Sequence, residues 1–108
     1  MKHQEFHIND SQIIVTLAGN LQGELAAQVR EKVLRYISDG YYHFKVDFSK
    51  VSDINSTGLG MLVNVQKHAI QNGGSIIIEG LHGTVQVAFN RTRLSKAFTI
   101  LDNNQVVA

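Results

Sequence analysis

The 108 residues are enough for one compact domain, expected to span residues 1–108. Ten basic residues against nine acidic ones leave a formal charge of +1, which argues against a nucleic-acid or membrane-surface partner, since either needs a concentrated basic face. The absence of cysteine excludes disulfides and thiolate metal sites, and with 44% hydrophobic and 18% charged residues the chain has the balance of a globular protein.

The elements follow in chain order. Residues 3–8 and 12–18 read as a hairpin, with Asn9-Asp10-Ser11 as its turn. Ile13, Ile14, Val15 and Leu17 supply the β-branched and apolar content of the second strand. Gly19 to Gly23 interrupt it. From Glu24 to Asp39, Ala26, Val29, Val33 and Tyr36 or Ile37 recur at three- and four-residue steps, which predicts a helix with one buried face. Gly40 supplies its stop. From His43 to Ser49, Phe44, Val46 and Phe48 alternate with Lys45 and Asp47, the pattern of a strand.

Val51 to Gly58 reads as a polar junction, with a second helix from Leu59. Leu59, Leu62, Val63, Gln66, Ala69 and Ile70 are its expected buried stripe, and Asn72-Gly73-Gly74 its end. Ser75 to Glu79 is a continuous apolar run, expected to be covered on both faces. A third helix is predicted from Thr84 to between Asn90 and Arg93, then a short strand over Phe98 to Leu101. The order ββαβαβαβ predicts an α/β fold: a mixed, mostly parallel sheet of four to five strands with an antiparallel N-terminal hairpin and helices mainly on one face. No apolar run approaches the roughly 20 residues of a membrane span. Met1-Lys2-His3-Gln4-Glu5 lacks the apolar core of a secretory leader. A cytoplasmic protein without a membrane partner is the expectation.

The informative segment is Asp53-Ile54-Asn55-Ser56-Thr57-Gly58-Leu59-Gly60. The first turn of a helix has backbone N–H groups without intrahelical partners, and Asn, Ser or Thr can cap them. One cap would suffice, yet three such residues stand in a row. Two glycines in the opening turns are also unusual, since each costs roughly 0.5–1 kcal/mol relative to alanine. A bare helix start with two hydroxyls suits close approach by another molecule.

In this setting the chain resembles the STAS domains of anti-sigma factor antagonists, which have an Asp-Ser-Ser/Thr-Gly-Leu-Gly motif where this chain has Asn55-Ser56-Thr57-Gly58-Leu59-Gly60. The resemblance extends to Leu17-Ala18-Gly19-Asn20-Leu21-Gln22, to Phe44-Lys45-Val46-Asp47-Phe48-Ser49, to Asn72-Gly73-Gly74 before Ser75-Ile76-Ile77-Ile78, and to the tail with Leu94, Phe98 and Ile100. It implies phosphorylation on Ser56, with Thr57 the weaker candidate, by a GHKL-type serine kinase that is also the anti-sigma factor and uses ATP and Mg²⁺. It also implies a serine phosphatase of the PP2C type that resets the protein. The partner surface would comprise Asn20, Gln22, Asp47, Asn55, Ser56, Thr57, Gly58, Leu59 and Gly60, with Asp47 near the end of its strand and both glycines as docking positions. The chain itself would be a monomer when free, a substrate and ligand with no cofactor, metal or catalytic residue. Two positions depart from the family pattern: Asn55 stands where an acidic residue is usual, and Gln22 where Asp is common.

Two rival classes compete with this reading. An enzyme lacks its usual marks: there is no phosphate-loop motif or complete Gly-x-Gly-x-x-Gly. His3, His7, His43, His68 and His82 are scattered without metal-ligand spacing on a helix. A constitutive STAS adaptor or scaffold, binding a non-sigma partner without phosphorylation, would have the same fold and no need of the hydroxyl.

Overall fold

In a computed structural model, which describes residues 3–101, the chain forms a five-stranded sheet in the spatial order β1-β2-β3-β4-β5. The expected span 1–108 thus runs at both ends outside the described residues. The strands are β1 (Gln4–Asn9), β2 (Gln12–Leu21), β3 (His43–Ile54), β4 (Ser75–Glu79) and β5 (Thr99–Leu101). The helices are α1 (Gly23–Ser38), α2 (Ser56–Gln71), α3 (Gly83–Arg91) and the short α4 (Leu94–Ala97).

β1 and β2 form an antiparallel hairpin closed by the pair Asn9–Gln12. The two residues between them include Asp10 at φ 58°, a left-handed conformation that two-residue hairpin loops demand and Asp tolerates. Every later pair, β2–β3, β3–β4 and β4–β5, is parallel. Each crossover therefore moves one strand further in the same direction. Since such crossovers are right-handed, the helices accumulate on one face.

Burial follows that layering. Ile13, Val15 and Leu17 of β2, Phe44, Val46 and Phe48 of β3, and Ile76 and Ile78 of β4 are buried. Against them lie Ala26, Val29, Val33 and Ile37 of α1, the stripe expected from the sequence. α1 stops at Asp39, where the backbone N–H of Gly40 (φ 100°) bonds Ile37 O and that of Tyr41 bonds Tyr36 O. Phe89 of α3 sits edge-on between two aromatic rings, 5.9 Å from Phe48 and 6.1 Å from Phe98.

Several expectations change. β4 is covered mainly on one face: Ile77 is only half-buried, and among the described residues the helices accumulate on the opposite face. α2 begins at Ser56, and its buried stripe is Gly58, Met61, Leu62, Val65 and Ala69. Leu59 and Gln66 are half-buried, while Val63 and Ile70 are 43% and 58% exposed. The expected stripe was rotated by roughly one residue's turn, about 100°, because Val63 and Ile70 are apolar yet face outward. β2 and β3 also run past the expected Ala18 and Ser49. Beyond Asp47, the last β3 residue paired with β4, they continue as a two-stranded ribbon in which Asn20 pairs with Asp53 and Leu21 with Ile54. Register shifts between Thr16 and Ala18 and between Gly19 and Asn20 bend this ribbon. The last strand is confined to Thr99–Leu101, with α4 inserted before it.

Truncating Phe89 to Ala should remove the ring that joins β3 to the C-terminal segment. The expected loss is about 3–5 kcal/mol of unfolding free energy, measured by urea denaturation of the variant beside wild type.

Candidate functional site

The β2–β3 ribbon delivers the chain to the start of α2. Asn55 is extended (φ −116°, ψ −174°) and acts as the N-cap, its Oδ1 accepting from the Gly58 backbone N–H at 3.1 Å. The Asn55 carbonyl accepts from Leu59 N–H at 2.9 Å. With the cap supplied by Asn55, neither Ser56 nor Thr57 is needed for it. Both residues are exposed, and among the described residues neither hydroxyl has a hydrogen-bond partner. The first turn of α2 contains no acidic residue. The helix start is thus an electropositive end with two free hydroxyls on it.

The two glycines have separate roles. Gly58 is buried, and a Cβ there would collide with the Leu21 carbonyl and with Ile54 Cγ1. It is therefore a packing glycine that seats α2 against the ends of β2 and β3. Gly60 is exposed, and a Cβ added there meets nothing within 4 Å. Nothing inside the protein requires glycine at Gly60.

Of the other candidates, Asn20 and Gln22 are exposed and flank Leu21, so they border the same helix start. Gln22 is the N-cap of α1 but makes no side-chain cap bond. Leu59 is half-buried behind the exposed hydroxyls. Asp47 lies apart. It is the fifth residue of the twelve in β3, not near its end, and the strand continues from it to Ile54 over a distance on the order of 20 Å. Its carboxylate is engaged locally, accepting from Ser49 N–H at 2.8 Å.

Three residues at the site carried no signal in the sequence. Arg30 of α1 donates to Asn64 Oδ1 of α2 at 3.0 Å, across a shallow groove that also includes Thr57 and Gly60. Thr84, at the start of α3, donates to Ser52 O at 3.1 Å and lies 3.5 Å from Asp53 Oδ1, bracing the ribbon from the other side. His82 adds a 3.0 Å contact to Ser49 O. These partners are separated by more than thirty positions in sequence, so no local pattern could have revealed them. Among the described residues no group of three or more His, Asp or Glu is placed to hold a metal ion, and no helix is long and apolar enough to cross a membrane.

Comparison with known proteins points the same way. The family model for the STAS domain matches residues 3–106. The anti-sigma-B factor antagonist of Bacillus subtilis is 30% identical over 92 residues, covering 85% of this chain and 84% of that protein. Among solved structures, a Thermotoga maritima protein assigned as an anti-sigma factor antagonist superposes with a TM-score of 0.85 at 23% identity, covering 94% of this chain and 87% of its own. The Bacillus cell-fate determinant SpoIIAA in its phosphorylated form gives 0.77 at 18% identity, covering 94% and 92%.

Alanine substitutions should split the glycines. Gly58→Ala should lower stability by about 1–3 kcal/mol, because the helix must shift off the Leu21 carbonyl. Gly60→Ala should raise it by roughly 0.5–1 kcal/mol through helix propensity alone. Thermal unfolding of the two variants reads both signs. A destabilised Gly60→Ala would show that the glycine has a role inside the fold.

Proposed function

The chain belongs to the STAS-domain family, and from that premise we propose that it is an anti-sigma factor antagonist working by partner switching, controlled by phosphorylation of Ser56. In its unphosphorylated form it binds a GHKL-type serine kinase that doubles as the anti-sigma factor, and so frees the client. The observation that carries this reading is the exposed, unbonded Ser56 hydroxyl at the first position of α2, with Asn55 alone serving as cap.

In the proposed step the γ-phosphoryl group of ATP passes to Ser56 Oγ, the hydroxyl proton is lost, and ADP departs. Asn55 Oδ1 is committed to the Gly58 N–H, and an amide is a poor proton acceptor, so the base comes from the kinase. Hydrolysis by a phosphatase of the PP2C type returns the serine. The chain acts in the cytoplasm as substrate and ligand and performs no catalysis of its own.

The phosphate adds about −1.5 to −2 charges at neutral pH. A helix N-terminus receives that charge favourably through its free N–H groups and its dipole. The switch therefore works at the interface, where the new charge and bulk oppose the partner, while the fold stays intact. SpoIIAA, recorded in a phosphorylated form, has the same fold, which supports a phosphate being accommodated without unfolding. A penalty of about 3 kcal/mol at the contact would weaken the complex by roughly a hundredfold. The partner surface on this reading comprises Asn20, Gln22, Asn55, Ser56, Thr57, Leu59 and Gly60, with Gly60 providing room for the partner's backbone.

Incubation with the cognate kinase and Mg-ATP should add the mass of one phosphate, and Ser56→Ala should abolish the addition while Thr57→Ala preserves it. Ser56→Asp should bind the kinase at least tenfold more weakly than Ser56→Ala. A Ser56→Asp variant that binds like wild type overturns the switch. No mass gain would favour the constitutive adaptor.

A further inference from the structure

β1 is an edge strand, and among the described residues nothing pairs with its outer side. In the hairpin register, Asn9 faces Gln12, His7 faces Ile14 and Glu5 faces Thr16. The two-residue loop makes Asn9–Gln12 a hydrogen-bonded pair, so His7 and Glu5 also bond to β2. The bond from Ala18 N–H to His3 O, 3.0 Å, continues the same alternation. Gln4, Phe6 and Ile8 consequently direct their N–H and C=O groups away from the sheet. Edge strands are normally protected by Lys, Pro or a bulge. Gln4–Asn9 contains neither residue, and its pairing with β2 is regular throughout. Ile8 is 54% exposed.

We propose that β1 pairs antiparallel with β1 of a second copy of this chain, across a twofold axis through Phe6, so that two five-stranded sheets become one continuous sheet.

Side-chain complementarity, a carboxylate opposite an imidazole N–H, selects that register. With Phe6 opposite Phe6 of the second copy, Gln4 faces Ile8, and these outward-facing residues exchange hydrogen bonds. Glu5 then faces His7 of the second copy, and His7 faces its Glu5. Both are non-hydrogen-bonded pairs, where opposing side chains come closest. Sliding to the neighbouring registers of the same parity sets Glu5 against Glu5 or His7 against His7, and like residues of these types repel or gain nothing. Within one copy, His7 Nε2 and Glu5 Oε1 are 3.8 Å apart and both side chains are well exposed. The carboxylate and the imidazole N–H are therefore free to make a shorter contact across the axis.

α1 lies above the edge: Phe6 stacks on Tyr36 at 5.6 Å, Lys32 Nζ sits 5.0 Å from the Phe6 ring centre, and Gln4 bonds Gln28. The nearby surface of α1 carries Glu31, Lys32 and Arg35, so the facing antiparallel helices present both signs of charge. The Lys32 ammonium is drawn over the Phe6 ring of its own copy. β2 and α1 separate this edge from α2, so the pairing does not depend on the proposed switch. A chain that stays monomeric when free, as the family resemblance implies, is the alternative outcome.

Sedimentation equilibrium of the full chain over a wide concentration range should show a reversible monomer–dimer equilibrium. Ile8→Pro removes one outward N–H without touching a bond to β2, and should weaken the dimer by about tenfold or more while circular dichroism and melting temperature stay near wild type. Glu5→Lys should weaken it by about tenfold, and adding His7→Glu should restore it, because the carboxylate and its N–H donor then exchange places. This pair of variants also decides the matter should Ile8→Pro disturb the fold. A protein that remains monomeric at all concentrations, a dimer indifferent to Ile8→Pro in a folded protein, or a charge swap that does not restore pairing would each overturn the proposal.

Discussion

The close approach of Gly58 to the Leu21 carbonyl is the constraint on which the site depends. It holds because β2 and β3 extend as a ribbon beyond the part of the sheet that β4 covers, ending at Leu21 and Ile54 side by side. The first turn of α2 comes down on that end, and only a residue without a side chain lets the helix backbone meet it. The position of Ser56 follows from this seating. With Gly58 pointing inward, Ser56 and Gly60 point outward within the same two turns.

The capping chemistry complements the packing. Asn55 satisfies the Gly58 N–H, so the helix does not draw on the hydroxyls that follow. An amide in this place does the capping work of a carboxylate without adding charge, which leaves the helix end more receptive to an anion than an aspartate cap would. The ribbon is held from both sides, by α2 at its end and by Thr84 and His82 along β3. On the proposed switch, such support would let the geometry of the helix start stay the same while its charge changes.

The fold was largely legible in the sequence. Alternation in Phe44, Val46 and Phe48 marked β3, and the 3.6-residue spacing of Ala26, Val29, Val33 and Ile37 marked the buried face of α1. α2 was harder to read, because Val63 and Ile70 lie on its outer flank and pulled the apparent stripe around the helix. β4 misled for a related reason: three isoleucines in a row suggest burial on both faces, yet helices cover mainly one. The local pattern around Asn55 to Gly60 was enough to identify a helix start with spare hydroxyls. It could not separate Gly58 from Gly60, since the two differ only in what lies opposite them.

By itself, then, the chain determined which segments are helix or strand, that a capped helix begins beside Ser56, and that the motif there matches the STAS family. These properties depend on neighbours within a few positions, where spacing and capping act directly. The tertiary structure decided which glycine is sealed against Leu21 and which is bare, that Asp47 lies within β3 and not at its end, that Arg30 meets Asn64 beside Thr57, and that among the described residues no strand pairs with the outer side of β1. Each of these depends on residues far apart in sequence, brought together by the order of strands in the sheet and by the rotation of a helix about its axis.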